Sequence, residues 1–284
     1  MNRQPSFFLG LLFCLIFPVA SLSAKTISYT VTQLRSPFPM LRVSVKCPSR
    51  KGSSYCRFHL NSGWSTVIEL ENEVHALRAF SEDGKELVVW RGGRAGEKLT
   101  KDSWTVGKTK KKAEEINLSY YLVPTRPAIT WKTRKRLVVT STFTHFTGGV
   151  ALLRPTYFAK TKSHTINFNW QGFQEAGWQV VSTFSNDQQG FTIKRTLDEF
   201  GMATFMAGAL NVIEKTFSSG KICCALPGTR WNFGAEDFAT SALSIVKTTK
   251  SFMHEKANRS LFIGVIPIAT KSPIPQGMAG LGLT

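Results

Sequence analysis

Cysteine is the residue type in this sequence with the clearest chemistry. Beyond the N-terminal segment lie four cysteines, Cys47, Cys56, Cys223 and Cys224, and four cysteines allow three pairings. The first two flank a short loop rich in Ser, Gly and Lys, and closing a loop of that size contributes roughly 2–3 kcal/mol. We therefore expect a Cys47–Cys56 disulfide. The adjacent pair could bond to each other, cross to the first pair or stay reduced, and the spacing fits no zinc site.

Five histidines are the candidate bases or metal ligands: His59, His75, His145, His164 and His254. The sequence has no His-Glu-x-x-His helix, no Gly-x-Ser-x-Gly elbow and no Gly-x4-Gly-Lys-Ser phosphate loop. Glu69, Glu71 and Glu73 alternate at strand spacing, which an exposed sheet face explains best, and Asp198–Glu199 is the other carboxylate pair. These patterns indicate no catalytic, metal or cofactor site, and they favour a protein that is not an enzyme.

Basic residues are concentrated in two short runs. The candidate anion-binding residues are Lys108, Lys110, Lys111 and Lys112 in the first run, and Trp131, Lys132, Arg134, Lys135 and Arg136 in the second. If the runs converge, they should hold a polyanion such as an anionic glycan or lipopolysaccharide. The alternative is two solvated loops that repel each other.

The whole chain has 36 basic and 18 acidic residues, for a net charge of +18. A charge of this sign attracts anionic surfaces, and it also keeps a protein soluble without any partner. Because the charge alone does not select a class of partner, a protein is also a candidate partner. No pattern points to a specific nucleic acid, and the oligomeric state is not predicted.

The first 24 residues have the pattern of a secretory signal peptide. Arg3 precedes the apolar run Phe7–Phe17, Pro18 breaks that run, and Ala20–Ala24 supplies small residues for cleavage. A lipid anchor on the cysteine within the run is disfavoured because a phenylalanine precedes it. No later stretch reaches the 18 apolar residues of a transmembrane helix. We expect an exported protein, either periplasmic or extracellular.

Short strand patterns dominate the first two thirds of the chain. They cover Ile27–Leu34, Leu41–Lys46, Val74–Ser81, Leu87–Trp90, Glu115–Val123, Arg136–Phe143 and His164–Trp170. Each is rich in β-branched or aromatic residues and is bounded by turn residues. Apolar and polar positions alternate in several of them, which predicts antiparallel sheets with one wet face.

The last third changes to helical periodicity. Residues 235–257 predict a long helix that packs one apolar stripe on a core, formed by Phe238, Ala242, Ile245, Val246, Thr249, Phe252 and Met253. A buried strand follows at Leu261–Ile268. The fold class we expect is mixed β and α+β. An antiparallel β-sandwich-like domain covers residues 25–125, a smaller α+β domain covers 126–272, and 273–284 form a mobile tail.

Three of these stretches carry a family resemblance. Leu77–Leu87, Lys101–Val106 and Ile116–Tyr121 are similar to the N-terminal β domain of the bacterial glycyl-aminopeptidase family of zinc metallopeptidases, and fainter similarity continues at Gly177-Trp178 and Leu261–Pro267. In that family, the non-catalytic β domain precedes a thermolysin-like catalytic domain.

The sequence differs from the family pattern at positions that peptidase activity requires. The family's Gly-Gly-Leu-Glu-His segment would fall at Gly280–Leu283, where the carboxylate that holds a peptide's amino end is absent. No zinc-binding helix follows within the sequence. The resemblance therefore implies the scaffold without the catalytic domain, and no catalytic residue can be transferred to this chain.

Together these observations predict an exported, cationic protein that acts by binding. An effector-type or virulence-associated role for a Gram-negative bacterium is the setting that we expect. The alternative is a hydrolase of an envelope polymer whose active-site residues are dispersed in the sequence.

Overall fold

The computed structural model describes residues 26–35, 38–60, 70–92, 102–107, 115–124, 136–159, 161–218, 220–228, 231–254, 260–267 and 277–283. The predicted signal peptide lies outside these residues.

Strands dominate the described part of the chain. They are β1 (Thr26–Leu34), β2 (Met40–Pro48), β3 (Tyr55–His59), β4 (Val74–Ser81), β5 (Glu86–Leu87), β6 (Val89–Arg91), β7 (Ser103–Gly107), β8 (Glu115–Leu122), β9 (Val138–Val139), β10 (Phe143–Thr147), β11 (Arg154–Pro155), β12 (His164–Gln171), β13 (Gln179–Ser182), β14 (Gly190–Arg195), β15 (Thr204–Gly208), β16 (Leu210–Phe217), β17 (Gly220–Pro227), β18 (Leu261–Pro267) and β19 (Gly277–Leu283). The helices are α1 (Gly148–Ala151), α2 (Leu197–Met202) and α3 (Ala235–Phe252), with 3-10 turns at Leu70–Glu73 and Gln174–Ala176.

The strands form four sheets. Sheet 1 has seven strands in the order β14-β12-β1-β2-β8-β4-β5. Sheet 2 has the order β11-β3-β7-β6, sheet 3 the order β13-β15-β10-β9, and sheet 4 the order β16-β17-β18-β19. Most neighbours are antiparallel, but β1 pairs in parallel with β12, and β17 pairs in parallel with β18.

Three apolar layers hold these sheets together. The inner faces of sheets 1, 2 and 3 share the largest core, in which the ring of Phe205 stacks on those of Phe146 and Phe168. The other face of sheet 3 packs on sheet 4 through Met206 and Phe262. A third layer lies between sheet 4 and α3. Because both faces of sheet 3 are covered, its two central strands, β15 and β10, are buried at every position, as in a layered fold.

The predicted fold class is confirmed. Antiparallel sheets form most of the protein, and sheet 4 with α3 is the α+β part. The domain boundaries stay a prediction, although sheet 1 takes strands from both sides of residue 125. The tail was expected to be mobile, whereas Gly277–Leu283 forms β19 and pairs along the whole of β18.

Helix α3 lies where its periodicity predicts, but its apolar side chains are placed differently. The core contacts come from Ala239 and Ala242, with the half-buried Phe238, Leu243 and Val246 packed beside them. Of the predicted core stripe, Ile245, Phe252 and Met253 are 67%, 84% and 67% exposed. The expectation that the whole stripe packs inward is therefore wrong. Among the described residues, no helix is long and apolar enough to cross a bilayer.

Candidate functional site

One face of sheet 1 is lined with polar side chains, and we call it the polar face. Side chains alternate between the two faces of a strand. In β1, Ile27, Tyr29 and Val31 are fully buried, so the residues between them point to the opposite face. The same alternation in β2, β8 and β12 places hydroxyl, amide and charged groups there. Sheet register arranges them in rows that run across the strands.

The first row holds the most varied chemistry. It consists of Gln171, Thr32, Arg42, Tyr121 and His75, one residue from each of five neighbouring strands. With strands about 4.8 Å apart, the row is about 19 Å long. Arg42 and His75 are exposed and Tyr121 is half-buried. A guanidinium, a phenol, an imidazole and an amide therefore lie along one line.

Two further rows lie beside the first. The second row is Asn169, Thr30, Ser44, Ser119 and Arg78. The third row is Thr192, Asn167, Ser28, Lys46, Asn117 and Phe80. Hydroxyl and amide groups can each donate and accept hydrogen bonds, so this surface offers many partners to a polar ligand.

Hydrogen bonds between strands hold several of these groups in place. Thr32 Oγ1 donates to Gln171 Oε1 at 3.1 Å, Thr192 Oγ1 donates to Asn167 Oδ1 at 3.0 Å, and Asn167 Nδ2 donates to Ser28 Oγ at 3.3 Å. Such cross-strand contacts reduce the rotamer freedom that binding would otherwise remove.

The charges of the polar face are only partly compensated. Lys46 pairs with Glu115 at 2.9 Å, and Arg78 pairs with Glu86 at 2.8 Å while lying over the ring of Phe80. The hydrogen bond from Arg78 lowers the pKa of Glu86. Within the described residues, neither Arg42 nor the exposed Lys194 of β14 makes an ion pair. The face therefore keeps positive charge for an anionic ligand.

A backbone irregularity borders the first row. The pairing of β4 with β8 shifts between His75 and Arg78, and Ala76 has a φ of 49°. That region of φ is costly for a residue other than glycine. β-Bulges of this kind redirect side chains and occur often beside functional sites. Here the bulge sets the positions of His75 and Arg78 relative to Tyr121.

The two predicted cationic runs add no described residue to the polar face. Lys108, Lys110–Lys112, Trp131, Lys132, Arg134 and Lys135 lie outside the described residues. Arg136 is described, and it is buried in an ion pair with Glu73 at 3.2 Å. Its assignment as an anion-binding residue is therefore wrong, because its charge is already neutralised inside the fold.

The predicted disulfide is not present either. Cys47, Cys56, Cys223 and Cys224 are all free and buried. Cys47 Sγ contacts Tyr157 Oη at 3.6 Å, and the amide of Arg50 donates to Cys56 Sγ at 3.2 Å. Cys47 and Cys56 thus each have a polar neighbour without a covalent bond. Desolvation raises the pKa of Cys47 to about 12 and that of Cys224 to about 11.

The other chemistry-bearing residues have structural roles. Asp198 and Glu199 lie in the first turn of α2, where Glu199 completes a capping box with Thr196. His164 shares a hydrogen bond of 2.9 Å with the carbonyl of Ala159. Burial of His145 lowers its pKa to about 4.

A zinc ion is the metal that the resemblance implies. In the described residues, no group of three or more His, Cys, Asp or Glu side chains is arranged to hold a metal ion. The described residues therefore do not fit a zinc site.

Comparison with solved structures identifies proteins that share this fold. An aminopeptidase N family protein from Idiomarina loihiensis superposes with a TM-score of 0.66 at 14% identity, over 83% of this chain. The chain has the fold of the matched part of this protein. Aminopeptidase A from Legionella pneumophila, solved with aspartic acid, superposes over 90% of this chain with a TM-score of 0.50 at 12% identity.

The shared fold covers only part of those proteins. The chain spans 38% of the Idiomarina protein and 30% of the Legionella protein. The resemblance found in the sequence is thus confirmed at the level of the fold. No protein-family model matches the sequence, and no curated protein matches it.

Proposed function

We propose that this chain is an exported binding protein on the aminopeptidase fold, and that its polar face holds an anionic glycan such as the sugar portion of lipopolysaccharide. The observation that carries the proposal is the set of three polar rows on sheet 1. A sugar polymer presents many hydroxyl groups at short intervals, and the rows offer donors and acceptors at strand spacing.

Charge supports an anionic rather than a neutral glycan. The chain carries a net charge of +18, and Arg42 and Lys194 stand on the polar face without ion pairs among the described residues. An Arg guanidinium forms strong paired hydrogen bonds with carboxylate, sulfate or phosphate groups. The half-buried ring of Tyr121 offers apolar surface to the flat side of a sugar ring.

Export belongs to the same proposal. Its support is the N-terminal pattern of one cation, an apolar run and small residues at the cleavage point. An exported protein of a Gram-negative bacterium meets anionic glycans in the periplasm and at the cell surface. A virulence-associated effector role is the wider setting that we propose for it.

The test is binding to heparin and to lipopolysaccharide across a salt series. The variant carries Arg42→Ser and Lys194→Ser, and the control carries Lys247→Ser, which removes an exposed cation from α3. Log affinity should fall linearly with log salt, and the double variant should bind more weakly with a slope shallower by about 2. Equal slopes for the double variant and wild type, or an equal effect of the control, would reject the polar face as the site.

A further inference from the structure

Three side chains in the first row of the polar face have no polar partner. Arg42 of β2 lies opposite Tyr121 of β8, which in turn lies opposite His75 of β4. Within the described residues, none of the three side chains makes a hydrogen bond or an ion pair, whereas Thr32 and Gln171 in the same row bond to each other. A guanidinium, a phenol and an imidazole on neighbouring strands therefore keep their donors for a ligand.

The other cations of β2 and β4 on this face are already paired. Lys46 lies on the same face of β2 as Arg42, four residues further along, and pairs with Glu115. Arg78 lies on the same face of β4 as His75 and has its own carboxylate partner. In the described part of the chain, Arg42 and His75 have no such partner. The uncompensated charge of these two strands is thus concentrated in the first row.

The spacing of these three residues suits one small anion. Residues directly opposite each other on antiparallel strands have Cβ atoms about 4.5–5.5 Å apart. Arg42 and His75 therefore flank Tyr121 from its two sides, over a total span of about 10 Å. Tyr121 is half-buried, while its two neighbours are exposed. An anion at the Tyr121 hydroxyl is within reach of both flanking side chains.

The bulge in β4 is a second, independent sign of a functional role. Ala76 and Leu77 together oppose the single residue Tyr120 of β8. Ala76 adopts a φ of 49°, which is costly for a residue with a Cβ atom. Without Ala76, apolar and polar positions would alternate regularly along β4, so the bulge is not needed to bury the core residues of the strand. An extra residue increases the local twist and redirects its neighbour, which here is His75.

We propose that Arg42, Tyr121 and His75 form a subsite for a phosphate monoester carried by a sugar of the bound glycan. This inference rests on the proposed function and names the anionic group that the polar face selects. The guanidinium offers two N–H donors in a fork, and the phenol and the imidazole offer one donor each. Four donors from three directions match the three terminal oxygens of a phosphate better than the two coplanar oxygens of a carboxylate. A phosphate monoester also carries about −1.5 to −2 charges at pH 7.

The experiment is an NMR titration of the full chain with glucose 6-phosphate. The signal followed is the imidazole Cε1–H of His75, which the variant His75→Gln assigns. We expect glucose 6-phosphate to shift this signal with a saturable curve. Glucuronate and glucose 6-sulfate should bind about tenfold more weakly, because they lack one hydrogen bond or part of the charge. No shift with glucose 6-phosphate would reject the subsite, and equal affinity for glucuronate would reject its selectivity.

Two variants and a matched control show which side chains hold the phosphate. Arg42→Gln should weaken binding of glucose 6-phosphate about tenfold, and Tyr121→Phe about threefold. The control Lys46→Gln removes an exposed cation from the same face of the same strand, two rows away. It should change the affinity by less than about twofold, because Lys46 is already paired. An equal effect of the control would show that overall charge, and not the subsite, attracts the ligand.

Deletion of Ala76 tests the role of the bulge. The deletion removes the strained residue and leaves the register on both sides intact, so the melting temperature should not fall. Affinity for glucose 6-phosphate should nevertheless fall about threefold or more, because the imidazole of His75 is redirected. Unchanged affinity in the deletion variant would overturn the positioning role of the bulge.

A variant outside the first row separates this inference from the proposed function. Lys194 lies on the polar face but belongs to β14, at the edge of sheet 1. If Lys194→Ser weakens lipopolysaccharide binding while glucose 6-phosphate leaves the His75 signal unchanged, the proposed function stands and the phosphate subsite is rejected. If glucose 6-phosphate shifts the His75 signal but Lys194→Ser binds lipopolysaccharide as wild type does, the subsite stands and the wider glycan surface is rejected.

Discussion

Glu73 and Arg136 form an ion pair of 3.2 Å in which the two side chains are 1% and 8% exposed. Removing one partner takes a counterion away from the other buried charge. We expect Arg136→Met to lower the free energy of unfolding by about 3–5 kcal/mol. The double variant Glu73→Leu with Arg136→Met should lose much less than the sum of the single variants. Urea denaturation measures both, and additive losses would contradict the pairing.

Stability should fall in acid because of His145. The unfolded side chain has a pKa of about 6.5, and burial lowers the folded value to about 4. The unfolded state therefore takes up the proton first as the pH drops. The contribution of His145 to the free energy of unfolding is complete above pH 6.5. It is lost as the pH falls from 6.5 to 4, and the loss is about 3 kcal/mol at pH 4.

The check is chemical denaturation at several pH values. His145→Phe should flatten the stability profile between pH 6.5 and 4, and the neighbouring ring of Phe143, with centroids 6.5 Å apart, offers it an aromatic contact. The control is His254→Gln at an exposed position. An unchanged profile in His145→Phe would show that another group causes the loss.

The four buried thiols should resist alkylation in the folded protein. Burial raises the pKa of both Cys47 and Cys223 to about 12, and the thiolate is the form that reacts. Iodoacetamide at pH 8 should label all four cysteines only after unfolding. Mass spectrometry counts the labels. A sample that needs a reductant before Cys47 and Cys56 can be labelled would restore the disulfide predicted from the sequence.

Gly148 should not tolerate a side chain. A Cβ at this position would collide with the carbonyl oxygen of Phe200, so α1 and α2 would have to separate. Gly148→Ala should cost about 3 kcal/mol or more. The control Gly52→Ala has a φ of +69° and open space around it, and it should cost only about 1–2 kcal/mol. Thermal melts of both variants measure the two losses of stability.

Local patterns predicted individual elements well and their partners poorly. The predicted bounds Val74–Ser81 match β4, although a bulge interrupts its alternation, and helical periodicity located α3 from Ala235 onwards. The prediction at Arg136–Phe143 was less accurate, because only Val138–Val139 forms a strand before β10 begins. The polar residues of β1 also alternate visibly in the sequence. However, the rows of the polar face depend on register between strands, which no local pattern encodes.

The wrong prediction of which α3 side chains are buried has a related cause. An apolar residue such as Phe252 satisfies helical periodicity whether its flank is covered or not. In the structure, Ala239 is fully buried at the core contact, whereas the larger Ile245, Phe252 and Met253 remain exposed. Which flank of a helix is buried depends on the neighbouring sheet, and the sequence of the helix alone does not contain that information.

The parallel pairing of β1 with β12 has a consequence for how the protein folds. Contacts such as that between Thr32 and Gln171 join positions 139 apart in the chain, and folding slows as contacts become more distant in sequence. During synthesis, β1 can pair with β2 early, but its other edge stays without a partner until residue 171 has emerged. That interval favours chaperone binding and also allows another chain to add a strand at the same edge.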